Sequence, residues 1–511
     1  MTATRFYVTT AIPYVNAQPH LGFALEVVQA DVLARHRRRR GDAVRFLTGT
    51  DDNSLKNVQA AEAQGVPVRE LVDRNASAFA ALREPLELSF DDFIRTSSDP
   101  RHRVGVERLW RACAAAGDLY RKHYEGLYCV GCEQFYAPDE LRGGRCPEHD
   151  VEPALVAEEN WFFRLSRYRR RLRELIERGT PRIEPAPRRN EVLALIDAGL
   201  EDFSVSRSRA RAHGWGIGVP DDPDQVIYVW WDALGNYLTA LGYGCDSPDY
   251  HRWWVTGDRR VHVVGKGVLR FHAVYWLGML ESAGVPLPTA ILVHDYLTIA
   301  GSKLSKSSGN VVDPVGLARR FGGDAVRWWL LREVARGGDT DFTVERLTAR
   351  ADADLANGFG NLVNRVVSMV HRYRGGRVPG GAGRAPDAER LTAACERAPA
   401  RIDEALAAGD FRSATAAVWA IVEESNRHVE AVRPWELARA ERGGDAGAGR
   451  RLDSALAVLI AACRALAGEL EPFLPSAAAS LGGALRCDTA SGRLPAPEPL
   501  FPRIGAAQRS A

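Results

Sequence analysis

The chain opens on RFYVTTAIPY (5–14), an apolar run rich in β-branched and aromatic residues that reads as a buried strand entering a loop. Between His20 and about Arg40 the apolar positions Leu21, Ala24, Leu25, Val28 and Val32 recur at helical spacing and form one face. VRFLTGTD (44–51) then reads as a second strand ending on polar residues. Strand, loop, helix, strand is the start of a parallel α/β sheet, whose ligands gather at the carboxyl ends of its strands. Aromatics, cysteines and turn residues break the pattern over 120–150, which places an insertion over roughly 116–220. The α/β pattern resumes at VIYVWWDA (226–233), VHVVGKG (261–267) and AILVHDYLTIAG (290–301), with a helical stretch near 269–283. From about 350 nearly every segment is amphipathic helix, interrupted by loops at GGRVPGGAGRAPD (375–387) and RGGDAGAG (442–449). The expected architecture is an α/β domain in two halves, 1–115 and 221–312. It is split by the insertion 116–220, and a linking segment 313–350 leads to a helical bundle over 351–511.

Composition changes this picture in a few places. Apolar residues at 46% and charged residues at 26% describe a soluble globular chain. No apolar run reaches membrane-spanning length and MTATRFYVTTAIPY lacks a signal-peptide layout, so a cytoplasmic protein is expected. A net charge of +2 leaves any nucleic-acid partner to be held by local patches. Lysine and arginine total 67, yet only five are lysines: Lys56, Lys122, Lys266, Lys303 and Lys306. In a chain so biased towards arginine, a surviving lysine marks a place that needs a compact, mobile point charge. Two of them stand in GSKLSKSSGN (301–310).

Lys303 and Lys306 lie between Gly301 and Gly309, a loop able to swing two ammonium groups towards the charge that builds on departing pyrophosphate. Near the amino end, PHLGF (19–23) is neither GxGxxG nor a Walker A loop. A helix nonetheless begins there directly after a strand, and its free N–H groups favour an anion. Pro19 suits a first helical turn, Gly22 admits a flat ligand, and His20 can donate to a phosphate oxygen. On these residues alone an anion site and a plain helix start both stand. Cys129-Val-Gly-Cys132 and Cys146-Pro-Glu-His149, thirteen residues apart, have the CxxC and CxxH spacing of a closed structural Zn2+ site. Cys113, Cys245, Cys395, Cys463 and Cys487 have no such spacing.

Taken together, PHLGF and KLSKS resemble the HIGH and KMSKS signatures of class I aminoacyl-tRNA synthetases. AIPYVNAQPHLG, FLTGTD, EGLYCVGCEQFY, YVWWDALGNY, VGKGVLRFHAVYW and RPWELAR, in this order, narrow the resemblance to the methionyl-tRNA synthetase family, over residues 5 to about 505. The chain departs from that family at Phe23, where the first signature ends in histidine. It departs again at Asn53, where TGTDDNS replaces TGTDEHG, and at Leu304 within the lysine loop.

The resemblance implies a class I synthetase Rossmann-like sheet followed by an all-α anticodon-binding bundle. It implies a methionine–tRNA ligase that converts L-methionine, ATP (with Mg2+) and initiator or elongator tRNA(Met) into methionyl-tRNA, AMP and pyrophosphate. Carried over by position, Pro19, His20, Gly22, Phe23, Lys303, Ser305 and Lys306 would bind ATP, with His20, Gly22, Lys303 and Lys306 in catalysis. Ala11, Ile12, Tyr14, Trp230, Ala233, Leu234, Tyr237 and His272 would line the methionine pocket, and Asp51 would take the amino group. Asn361, Arg365 and Trp435 would contact the anticodon. By pattern alone, Trp230 and Tyr237 read as core residues of a strand and a helix, and Trp435 as bundle core. Two other readings are carried: a tRNA-binding paralogue without catalysis, motivated by Phe23 and Asn53, and a class I synthetase for another apolar amino acid. The second is weakened by the lack of room for a large editing insertion. After the last long helical segment the chain is rich in Ala, Gly, Pro and Ser, with no strands for a β-barrel and no heptad seam, so a monomer is expected.

Overall fold

A computed structural model of the protein describes residues 3–130, 134–148, 150–299, 301–303, 312–380, 388–489, 491–501 and 503–504. The chain divides into two compact units. The first comprises Met1–Glu84, Leu88–Leu297 and Lys303–Pro314, and the second Pro85–Glu87, Thr298–Ser302 and Val315–Ala511.

Unit one is built on a six-stranded parallel sheet. Its strands are β1 (Arg5–Thr10), β2 (Ala43–Thr50), β3 (Asp92–Arg95), β4 (Arg182–Glu184), β5 (Arg259–Gly265) and β6 (Ala290–His294), in the order β3-β2-β1-β5-β6-β4. Their runs of Val, Ile, Phe and Thr are buried on both faces, as helix-covered parallel strands require. β4 comes from the stretch read as an insertion and adds the edge strand beside β6. From β1 the chain builds outward through β2 and β3, and its later half builds the opposite way through β5 and β6. The order therefore reverses between β1 and β5, and a ligand crevice forms at such a reversal, beyond the carboxyl ends of the strands.

Three helices position the residues of interest. Helix α1 (Leu21–Arg39) follows β1 and buries Leu21, Ala24, Leu25, Val28 and Val32, the face expected from their spacing. Helix α2 (Pro100–Ala115) starts on an Asp99 cap whose carboxylate accepts from the Arg101 N–H. Helix α3 (Val229–Thr239) corrects the reading of Trp230 as a strand residue. The strand is Asp222–Ile227, in a small antiparallel sheet apart from the main one, and the chain turns helical after Tyr228. VIYVWW is apolar throughout, and a short apolar run does not distinguish strand from buried helix; Asp232 in the first turn is the helix signal within it. Within 116–220, Leu119–Cys129 and Ala154–Phe163 form a long antiparallel pair, and Cys129 is the last residue of its first strand.

Unit two is helical, as the periodicity requires. Its principal helices are α4 (Gly323–Arg332), α5 (Asn361–Arg374), α6 (Glu389–Ala407), α7 (Phe411–Val432), α8 (Pro434–Arg442) and α9 (Ala446–Leu470). Trp328, Phe359 and Trp419 pack edge-to-face at 5.2 and 5.4 Å between centroids. The fully buried Arg327 donates to the carbonyls of Phe473, Leu86 and Pro472 at 2.8, 2.8 and 3.1 Å, so a charge inside the bundle has a carbonyl for each guanidinium nitrogen.

Candidate active site

The helix start after β1 has a specific geometry. His20 caps α1: the Gly22 N–H donates to its Nδ1 at 3.1 Å, so the neutral ring carries its proton on Nε2 and can act there as a donor. A Cβ on Gly22 would lie 2.9 Å from the His20 ring, so glycine at this position leaves room for the cap itself. Pro19 is buried behind it. Phe23 is 8% exposed and packs edge-to-face on Phe79 at 5.1 Å, so the ring that stands in place of the family's second histidine faces core. The Leu21 N–H donates to the carbonyl of Val312 at 3.0 Å, which ties the chain just beyond the lysine loop to the first turn of α1. Lys303 is described only as backbone, and Ser305 and Lys306 lie outside the described residues.

Most of the remaining candidates form a linked series around the β1–β5 reversal. Tyr14 pairs with Asp51 in an isolated parallel bridge, and the Asp51 N–H donates to the Pro13 carbonyl at 2.9 Å. The Tyr14 ring meets Trp230 edge-to-face at 6.2 Å, and Trp230 stacks on Phe271 at 3.7 Å and 6°. Next to Phe271, His272 accepts at Nε2 from the Tyr237 hydroxyl (2.7 Å) while its Nδ1–H donates to the Val268 carbonyl (2.9 Å). Burial lowers its pKa to about 4, so the imidazole is neutral near pH 7 and that hydrogen-bond direction is set. Burial likewise raises the Tyr237 hydroxyl, which stays protonated and donates. Ala233 and Leu234 are buried on α3, and Ala11 and Ile12 are half-buried where β1 ends, with the Ala11 N–H on the Val263 carbonyl at 3.3 Å. Asp51 is 1% exposed; its Oδ1 accepts from the Asn53 N–H at 3.2 Å.

Sequence reasoning missed a second polar group at the same end of the sheet. Glu26, on α1 one turn past Gly22, accepts at Oε2 from the Gly265 N–H (2.9 Å) and from His294 Nε2 (3.0 Å), while His294 Nδ1 bonds the Asp295 carbonyl. Burial works against the His294 cation, but the Glu26 carboxylate outweighs it and raises the pKa. Glu26 Oε1 is buried with no hydrogen-bond partner among the described residues, an acceptor left over for a ligand hydroxyl. The available signal was the single carboxylate among the otherwise uncharged residues of the first two turns of α1. Phe271 was also missed, although it stands next to the matched His272. In the core behind both, His262 accepts from Trp276 Nε1 (3.3 Å) and pairs with Thr9 Oγ1 (2.7 Å), and burial holds it neutral.

Two further sets lie elsewhere. In unit two, Trp435 is 40% exposed at the start of α8, and the Arg365 guanidinium lies 5.8 Å from its ring centroid. Asn361 is exposed one turn before Arg365 on α5, so the surface position replaces the expected core tryptophan. In the hairpin region of unit one, Cys129 and Cys146 are buried with Tyr136 in one small cluster. Cys132 and His149 lie outside the described residues, and among the described residues no group of three or more His, Cys, Asp or Glu is placed to hold a metal.

An all-parallel sheet reversing at β1/β5, with a histidine-capped helix start at the reversal, defines a nucleotide-handling α/β domain, and the profile described as "tRNA synthetases class I (M)" matches residues 6–157 and 138–367. The chain is 39% identical over 524 residues to the methionine–tRNA ligase of Brucella suis, covering 98% of both chains. It is 41% identical over 482 residues to that of Mycobacterium tuberculosis, covering 93% of this chain and 91% of the other. The crystal structure of M. tuberculosis methionyl-tRNA synthetase bound by methionyl-adenylate superposes with a TM-score of 0.91 at 38% identity, covering 98% of this chain and 100% of that one. The chain therefore belongs to the methionyl-tRNA synthetase family of class I tRNA synthetases.

Proposed function

We propose that the chain is a methionine–tRNA ligase. The observation that carries this reading is the near-full-length likeness to a methionyl-tRNA synthetase bound by methionyl-adenylate. In the first step a carboxylate oxygen of methionine attacks the α-phosphate of Mg2+-bound ATP; the bond to the β-phosphate's bridging oxygen breaks and pyrophosphate leaves. In the second a terminal ribose hydroxyl of tRNA(Met) attacks the adenylate carbonyl, and AMP leaves.

No side-chain nucleophile is needed, so the protein's part is orientation and charge stabilisation. Asp51 takes the substrate's ammonium group, and Ala11, Ile12, Tyr14, Trp230, Ala233, Leu234, Tyr237 and His272 surround its side chain. Aromatic and aliphatic walls with neutral hydrogen-bonding tips suit a long, soft, uncharged thioether. The His20 cap at the start of α1 faces phosphate, with Pro19, Gly22 and Phe23 shaping the turn. Glu26 Oε1 is suited to a ribose hydroxyl. Lys303 and Lys306, with Ser305, supply positive charge as pyrophosphate departs. Asn361, Arg365 and Trp435 meet the anticodon, where an exposed indole beside a guanidinium offers a stacking face to an unpaired base. One structural Zn2+ at Cys129, Cys132, Cys146 and His149 completes the reading: two buried thiols in one cluster fit a thiolate donor set.

ATP–pyrophosphate exchange with a panel of amino acids tests this. Methionine alone should support exchange. No exchange with any amino acid would leave a non-catalytic tRNA-binding protein, and exchange with another apolar amino acid would reassign the substrate.

A further inference from the structure

Asn53 occupies a position that the family reading gives to histidine, and the structure shows what its amide holds. Its backbone N–H donates to Asp51 Oδ1 at 3.2 Å, while its side-chain Nδ2 donates to Asp232 Oδ2 at 3.0 Å and more weakly to the Thr96 carbonyl at 3.4 Å. Asp232 is fully buried in the first turn of α3. Its second oxygen, Oδ1, faces Nε2 of the equally buried His102, on α2, at 3.6 Å. The other ring nitrogen of His102, Nδ1, lies 2.8 Å from Thr239 Oγ1. With Nδ1 accepting from the Thr239 hydroxyl, the neutral ring turns an Nε2–H, rather than a lone pair, towards the Asp232 carboxylate. Asp232 and Thr239 stand near opposite ends of α3, two turns apart, and a single histidine of α2 touches both.

A carboxylate this deep is costly unless its partners are fixed, and fixed partners in a dry site transmit geometry. Here the partners run from the helix that carries Ala233, Leu234 and Tyr237 to the loop that carries Asp51. We propose that Asp232 is a positioning residue for methionine. Its carboxylate, through Oδ2, orients Asn53, and through Asn53 it sets the direction of the Asp51 carboxylate towards the substrate's ammonium group. This rests on the assignment of Asp51 made above. The contacts that define it lead to Asn53 and Asp51, at the amino-acid end of the proposed site, so its signature is selective for the amino acid.

The test is ATP–pyrophosphate exchange on the full chain, with the KM for methionine, the KM for ATP and kcat measured separately. Asp232→Ala and Asn53→Ala should each raise the methionine KM about tenfold and leave the ATP KM within about twofold, since each removes one charge-assisted hydrogen bond behind Asp51. Asp232→Asn keeps an oxygen facing Asn53 and should recover most of the loss. The double variant Asn53→Ala/Asp232→Ala should be no worse than the poorer single, because both act through one contact. A methionine KM unchanged in Asn53→Ala, a parallel rise in both KM values, or losses that multiply in the double variant would each overturn the proposal. Should Asp232→Ala fail to fold, Asn53→Ala and Asp232→Asn decide it. A wild-type chain without methionine-dependent exchange sinks this proposal together with the proposed function, whereas normal wild-type exchange with insensitive variants sinks this one alone.

Discussion

Tyr237 with His272 and Trp435 with Arg365 each pair an aromatic ring with a nitrogen-bearing side chain at candidate binding positions, and they are held in opposite ways. Tyr237 and His272 are about 1% exposed, each fixed by hydrogen bonds inside the core of unit one. Trp435 is 40% exposed, and Arg365 lies over it without a core around the pair. A buried pair sets pocket shape and stability together, so its loss damages both. An exposed pair contributes little to folding and is available to a partner. The same rule explains why pattern reading misassigned Trp435: periodicity reports apolar character, not which side of a helix start is covered.

The largest expected effect lies in a third kind of site, the proposed zinc site of the cysteine cluster. Cys129 and Cys146 are buried with Tyr136 in a cluster of three side chains, with Leu141 packed against it. Purified protein should contain one zinc per chain, with apparent binding on the order of 10 kcal/mol. Cys129→Ser should lose the metal and make residues 119–163 protease-sensitive. Elemental analysis that finds zinc retained in this variant would separate the metal from these thiols.

Next comes the buried pair. His272→Ala strands the Tyr237 hydroxyl and the Val268 carbonyl in a dry site and leaves a cavity. It should cost about 2–4 kcal/mol in stability as well as raise the methionine KM. Denaturant midpoints and exchange kinetics measure the two losses, and a functional loss without a stability loss would break the comparison. Trp435→Ala should reverse the pattern: tRNA charging falls by ~1–3 kcal/mol while exchange and the unfolding midpoint hold. Collapse of exchange in this variant would return the tryptophan to the core.

The smallest effect sharpens the comparison inside unit two. Asp324 is partly buried, and burial first, then the Glu87 carboxylate, raise its pKa to about 6. A raised folded-state pKa contributes stability that is complete below the ordinary carboxylate range near 4 and is lost as pH rises through about 6. Between pH 5 and 7 the parent should therefore lose on the order of 1–2 kcal/mol relative to Asp324→Asn. Parallel pH profiles for parent and variant would show that the carboxylate ionises without penalty.

Much of this was legible in the residues. The β-strand, helix, β-strand opening lies where the apolar spacing puts it, because alternation and helical period follow from backbone geometry and need no partner. The Gly22 requirement was legible too, though the atom that needs the room is the cap's own ring. Trp230 was misplaced on a strand because an apolar run in a buried place has no period to read. Glu26 and Phe271 were missed because their meaning depends on Gly265, His294 and Trp230, 239, 268 and 41 residues away respectively in sequence.

The sequence by itself determined the class of fold, the family, and the motifs at the helix start, the lysine loop and the cysteine turns, since these rest on local spacing and residue chemistry. Only the tertiary structure decided which polar groups are dry and what faces them. That Asn53 spans Asp51 and Asp232, that His272 is neutral, that Glu26 keeps one oxygen without a partner among the described residues, and that Trp435 meets solvent are consequences of packing between segments far apart in the chain. Burial changes the charge state and reach of a side chain, and burial is a property of the assembled core.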